Sequence, residues 1–131
     1  MDYQYVKPLR SDRLIDDFEK LTGYRFPKSF RNHIRIYNGG RPRSKTFKTD
    51  KAKRELKSFL SFNPDNKENV WNIREWNKYE LGNKYVAFAV DDLGNMICFD
   101  KDNNHIIFLN HNNSKSEYIS DTFTDFMDCL V

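Results

Sequence analysis

The sequence predicts one α+β domain, spanning residues 1–131, in which helices pack on one side of a mainly antiparallel sheet. Three observations carry this. Tyr85–Val90 and Met96–Phe99 are the most apolar runs in the chain, and Asp91, Asp92, Gly94 and Asn95 separate them. Short apolar runs bounded by turn residues read as a hairpin, and their weak alternation marks covered central strands. Apolar residues recur at helical spacing near both chain ends. Finally, 131 residues with 15% aromatics, including 11 Phe and 7 Tyr, suffice for one core and argue against disorder despite 31% charged residues.

In chain order, Asp12 is the candidate cap of a first helix, with Ser11 before it. Leu14, Ile15, Phe18 and Leu21 form its apolar face and Gly23 its stop. Tyr24-Arg25-Phe26 is extended because the residue before a proline avoids the helical region. Pro27 opens a second helix with Phe30, Ile34 and Tyr37 inward and Ile36 beside them, ended by Asn38-Gly39-Gly40. Residues 41–57 read as a long basic connection, with strand character at Thr46-Phe47. Phe59–Phe62 is a strand, Asn63–Asn66 a turn, Glu68–Trp76 a short helix with Val70, Trp71 and Ile73 inward, and Asn77–Lys84 a loop. After the central hairpin, Lys101–Asn104 turns into a strand at Ile106–Leu109, and Asn110–Ser116 is a loop. Tyr118-Ile119 leads to a last helix capped by Ser120 or Asp121, with Phe123, Phe126, Met127 and Leu130 as its stripe.

The net charge of +3 hides an asymmetry. Residues 1–40 carry +3, residues 41–57 carry +6 from eight bases and two acids, and residues 58–131 carry −6. A split of this kind suits charged partners. The amino terminus has no apolar core of a signal peptide and no stretch is apolar enough to span a membrane, so the expected compartment is the cytoplasm. Cys98 and Cys129 are accordingly expected as reduced core thiols.

Most catalytic and metal signatures are absent. Asp100-x-Asp102-x-Asn104 begins like a calcium loop, but the sixth position is His105, not Gly, and the twelfth is His111, not Glu. His105 and His111 on one strand stand roughly 20 Å apart, too far for one zinc ion. His33 is isolated on the second helix. No Gly-x-Ser-x-Gly occurs, and Gly39-Gly40 is not followed by Lys-Ser/Thr. No catalytic residue, cofactor or metal is therefore expected. In the basic segment only Phe47 could stack on a base. Trp71 and Trp76 stand at the edge of the acidic part, each equally suited to a core or to a binding hot spot.

Several of these stretches together resemble the SUKH superfamily. They are Phe26-Pro27-x-x-Phe30, Tyr37-Asn38-Gly39-Gly40, Phe59–Phe62 followed by Asn69-Val70-Trp71, and above all Phe88-Ala89-x-Asp91-x-x-Gly94-Asn95-x-Ile97-Cys98-x-Asp100. Ile106–His111 and Ser120-Asp121-x-Phe123-x-x-Phe126 complete a match running from about Leu14 to Leu130. Leu93 stands where a second turn glycine is common, Gly82 replaces a proline, and Phe108-Leu109-Asn110 replaces a more aromatic, acidic ending. The resemblance implies an α+β scaffold whose bacterial members are chiefly immunity proteins that bind polymorphic toxins, often nucleases. Yeast cell-wall regulators in the superfamily act as interaction modules. No catalytic residue is implied, and Asn38, Gly39, Gly40 and Gly94 look structural.

The expected partner is thus a cognate toxin protein, with Glu75, Glu80, Asp91, Asp92 and Asp102 as candidate contacts toward a basic face, while the basic residues 41–57 suit an acidic partner instead; the sequence leaves both open. The alternative is a nucleic-acid or phosphate-binding module working through residues 41–57.

Overall fold

The computed structural model describes residues 2–131. Its centre is a five-stranded antiparallel sheet, ordered as in the chain: β5 (Ser58–Phe59), β6 (Tyr85–Val90), β7 (Met96–Asp100), β8 (Ile106–Leu109) and β9 (Ser116–Ser120). Two small antiparallel pairs flank it: β1 (Tyr3–Gln4) with β2 (Arg41–Pro42), and β3 (Thr46–Lys48) with β4 (Lys53–Glu55). The helices are α1 (Arg13–Thr22), α2 (Lys28–Tyr37), α3 (Val70–Trp76), α4 (Lys78–Leu81) and α5 (Phe123–Cys129). The α+β class expected from the sequence is observed.

The β6–β7 hairpin is the one the sequence marks. Gly94 takes φ 85° in its turn, a left-handed conformation that favours glycine. Register then assigns the faces. Val86 pairs with Phe99, and Phe99 with Ile106, so these side chains share one side of the sheet. Phe88, two residues beyond Val86, faces this side too, 4.8 Å from Phe99 between ring centroids, and a β-bulge between Ala87 and Ala89 shifts the pairing around it. Phe30 of α2 sits 5.4 Å from Phe88 and 5.2 Å from Phe99, and Phe123 of α5 lies 5.1 Å from Phe30. Phe18 of α1 joins through Phe26 and Phe62. All these phenylalanines are buried. Tilted and edge-on rings at such distances add to the area they remove from water.

Asn38 ties the periphery to this core. Its Nδ2 donates to the Lys7 carbonyl and to Ser61 Oγ, and its Oδ1 accepts from the Phe62 amide. Beside it, Gly40 passes so close to the Tyr37 carbonyl and the Tyr3 ring that a β-carbon would stand 2.9 Å from each. No larger residue fits there without displacing backbone.

Several sequence expectations are corrected. Residues 41–57 are more than a connection: the strand expected at Thr46-Phe47 is β3, and it pairs with β4. Phe47 is buried 5.6 Å from Phe126, and Arg54 lies over the Phe108 ring and grips Glu117 with two hydrogen bonds. The hairpin tip closes the outer edge of β9: the Asp50 amide donates to the Tyr118 carbonyl, and the Tyr118 amide to Asp50 Oδ1. This leaves fewer open donors and acceptors on an edge strand. The strand at residues 59–62 is shorter than expected, because Ser61 turns aside to bridge Asn69. Residues 77–84 hold the helical turn α4, anchored by buried Leu81. Tyr118-Ile119 belongs to a strand, and α5 is capped by Thr122, which accepts from the Asp125 amide, not by Ser120 or Asp121. Leu21 is 51% exposed because Ile15, Phe18 and Thr22 define the inner face of α1. Ile36 is also exposed, and Cys129 faces out because Phe123, Phe126 and Leu130 point in; Cys98 is buried, and both thiols are free.

Candidate interaction surface

The two tryptophans, five residues apart, take opposite roles. Trp71 is half-buried 5.0 Å from Phe18, and its indole Nε1 donates to the Phe62 carbonyl. Asn69 caps α3 by accepting from the Asn72 amide, which fixes the helix direction. At the last turn, Trp76 is left 69% exposed. It lines an open hollow of about 380 Å³ with Ile73, Asn77, Val90, Met96 and His111. Leu93, 75% exposed, projects from the adjoining β6–β7 turn. An exposed Trp and Leu beside a concavity is the arrangement that anchors protein contacts.

A second hollow, of about 420 Å³, opens next to the first; Lys57 and Asp92 line both. Its other walls are Gln4, Tyr5, Arg41, Pro42, Arg43, Lys45 and Leu56. The base of the β3–β4 hairpin thus meets the β1–β2 ribbon here. Arg41 stacks 5.0 Å over the Tyr5 ring, and Lys57 Nζ is 2.8 Å from Glu68 Oε2. Burial works against ionisation of Glu68, but hydrogen bonds from Lys57 and Ser58 and the charge of Arg41 outweigh it and hold its pKa below the usual carboxylate range. Lys57 and Arg41 are therefore held in place before any partner arrives.

The five carboxylates singled out in the sequence do not form one patch. Asp91 is occupied in its own turn: Oδ1 accepts from the Leu93 and Asn95 amides and Oδ2 from Asn95 Nδ2. Asp92 is exposed on the rim shared by the hollows. Glu75, exposed, is 3.4 Å from Lys78, and Glu80 stands half-buried on α4. Asp102 lies in the β7–β8 turn, at the far end of the five-residue strand β7 from Asp91 and Asp92. By contrast, of the eight bases in residues 41–57, Arg54 and Lys57 are tied to Glu117 and Glu68, while the other six are exposed. The sequence signalled the charges but not which of them converge, since convergence depends on how the β3–β4 hairpin folds back.

The remaining groups with chemical potential serve packing. His33 is half-buried among Tyr3, Tyr37, Phe59 and Phe123, with Nε2 2.6 Å from the Tyr3 hydroxyl. Burial pushes its pKa down to about 4. Burial also pushes the Cys98 thiol up, away from the nucleophilic thiolate. Among the described residues, no group of three or more His, Cys, Asp or Glu could hold a metal ion, and no helix is long and apolar enough to cross a membrane.

These features define a small α+β domain with a closed aromatic core and a two-hollow surface at one end of its sheet. The sequence model of the SMI1/KNR4 family (SUKH-1) matches residues 11–129, and the chain belongs to that family, which includes toxin-immunity proteins. No curated protein matches the chain in sequence.

Proposed function

We propose that the protein is a cytoplasmic immunity protein that binds one bacterial toxin and neutralises it by occupation, without catalysis. The observation that carries this reading is Trp76, left exposed beside a hollow next to exposed Leu93 in a chain whose other large aromatics are mostly packed. Membership of a family that includes immunity proteins supports it. Asp92 and Glu75 flank Trp76 and remain proposed contacts, with Glu80 nearby in sequence; Asp91 shapes the turn that presents Leu93. Asp102 stands apart from this surface and would serve only a partner that also reached the opposite end of the sheet. The test is co-purification of the tagged protein with the product of the neighbouring gene, followed by a growth assay. Retention, together with a neighbour that is toxic alone and harmless when co-expressed, supports the reading; a harmless neighbour that is not retained overturns it.

The second reading, nucleic-acid binding through residues 41–57, is favoured by the exposed Lys48, Lys51 and Lys53. Buried Phe47 weighs against it, since it leaves that segment no ring on which a base could stack.

A further inference from the structure

We infer that the basic hollow between the β1–β2 ribbon and the base of the β3–β4 hairpin is the seat for an acidic segment of the protein partner, whose carboxylates meet Arg41, Arg43 and Lys45. The inference rests on the partner-binding reading and, of the two partner charges the sequence leaves open, assigns the acidic one to this point.

Charge and size lead to it. Four cations line one hollow, and Asp92 is its single carboxylate. A sphere of the hollow's volume, about 420 Å³, has a radius of roughly 5 Å, less than the Debye length of about 8 Å at physiological salt. Charges inside the hollow therefore act together on whatever enters, less what Asp92 and the partners of Lys57 and Arg43 offset. Lys57 is already held by Glu68, and Arg43 is only loosely engaged with Asp2, at 3.8 Å with both side chains mostly exposed. Lys45 has no carboxylate within ion-pair distance among the described residues. Arg41 and Arg43 thus supply planar donor forks that suit carboxylates, and Lys45 adds a mobile point charge.

The surroundings favour a protein over a nucleic acid. One face of the Tyr5 ring is covered by Arg41 and is closed to a stacking base. A phosphate chain leaving the hollow on the Trp76 side would meet Asp92, whereas a protein segment can place apolar residues there, against Ile73 and Trp76. One partner surface, acidic over one hollow and apolar over the next, fits both.

The test is an amide-shift titration of the full-length labelled protein with two ligands of similar length, a decapeptide of alternating Asp and Glu and a ten-nucleotide oligothymidylate. The peptide is expected to shift Tyr5, Arg41, Arg43, Lys45, Leu56 and Lys57, and to bind at least about tenfold more weakly to the Arg43→Glu, Lys45→Glu double variant. Both positions are exposed, and far-ultraviolet circular dichroism checks that the variant is folded. Lack of peptide binding overturns the inference, as do shifts centred on Lys48, Lys51 and Lys53, tighter binding of the oligothymidylate, or unchanged binding by the double variant. Each of these results is independent of co-purification with the neighbouring gene product. Failure here with a retained neighbour removes only the acidic segment, while an absent neighbour removes the immunity reading.

Discussion

Trp71 and Trp76 sit on the same seven-residue helix, yet they belong to two regions built on different terms. Around Trp71 the chain closes: indole on Phe18, Nε1 on the Phe62 carbonyl, and beyond it the interlocked rings of Phe30, Phe88 and Phe99. Around Trp76 it stays open, with a hollow on one side and Leu93 and Asp92 on the rim. Burying a large aromatic is among the strongest contributions a small domain can make to its own stability. Leaving one exposed forgoes that gain. On the proposed reading, stability and recognition are separated by little more than a helical turn, so substitutions on the two sides should affect different observables.

The largest effect is expected where the closed region is densest. Phe88→Ala removes the ring that touches Phe30, Phe99, Phe123 and Phe126 and should cost about 3–5 kcal/mol in urea unfolding. That is a large share of a typical domain's stability, so partner binding would fall with the fold. Asn38→Ala strands the Phe62 amide and removes two donated hydrogen bonds, and should cost about 2–3 kcal/mol by the same assay. A loss well under 1 kcal/mol would show that the periphery is not tied to the core through this side chain.

The tryptophan pair sharpens the comparison most. Trp71→Ala should lower stability by about 2–3 kcal/mol through lost packing and the lost indole hydrogen bond. Trp76→Ala should leave stability within about 0.5 kcal/mol and weaken partner binding roughly 30-fold, about 2 kcal/mol. Chemical unfolding and calorimetric titration separate the two outcomes.

Acid offers a finer probe of the closed region. The folded pKa of His33 is about 4, below the roughly 6.5 of an unfolded histidine, so folding excludes a proton that the unfolded chain takes up. Its stabilising contribution is fully present above about pH 6.5 and is lost as pH falls toward 4. Between pH 7.5 and 5 the loss should be about 2 kcal/mol, and His33→Gln should flatten it. An equal loss in the variant would remove the assignment to His33, and Glu68 and Glu117 could not stand in for it over this range. Folding lowers both of those pKa values, so their contributions are lost further into acid.

How much of this the sequence reveals depends on the range of the interactions. The β6–β7 hairpin, the glycine stops and the stripe Phe123, Phe126 and Leu130 are set by near neighbours, and they are legible. The packing of Phe47 on Phe126 is not, because 79 positions separate the two residues and only the folded hairpin brings them together. The same holds for the site. Trp76 could be singled out by type, but its exposure follows from where α3 ends. Asp91 reads as a candidate contact because it belongs to the acidic part of the chain, whereas its carboxylate is consumed by the Leu93 and Asn95 amides. The basic run was visible as charge, but that Arg54 and Lys57 face inward while Arg41, Arg43 and Lys45 share a hollow required the fold.

The most direct measurement is a side-by-side retention assay of the neighbouring gene product on tagged wild-type, Trp76→Ala and Trp71→Phe chains, each shown to be folded. Separation of recognition from packing requires that wild type and Trp71→Phe retain the product while Trp76→Ala loses it. Equal retention by all three would place the binding surface elsewhere, and retention by none would contradict the immunity assignment itself.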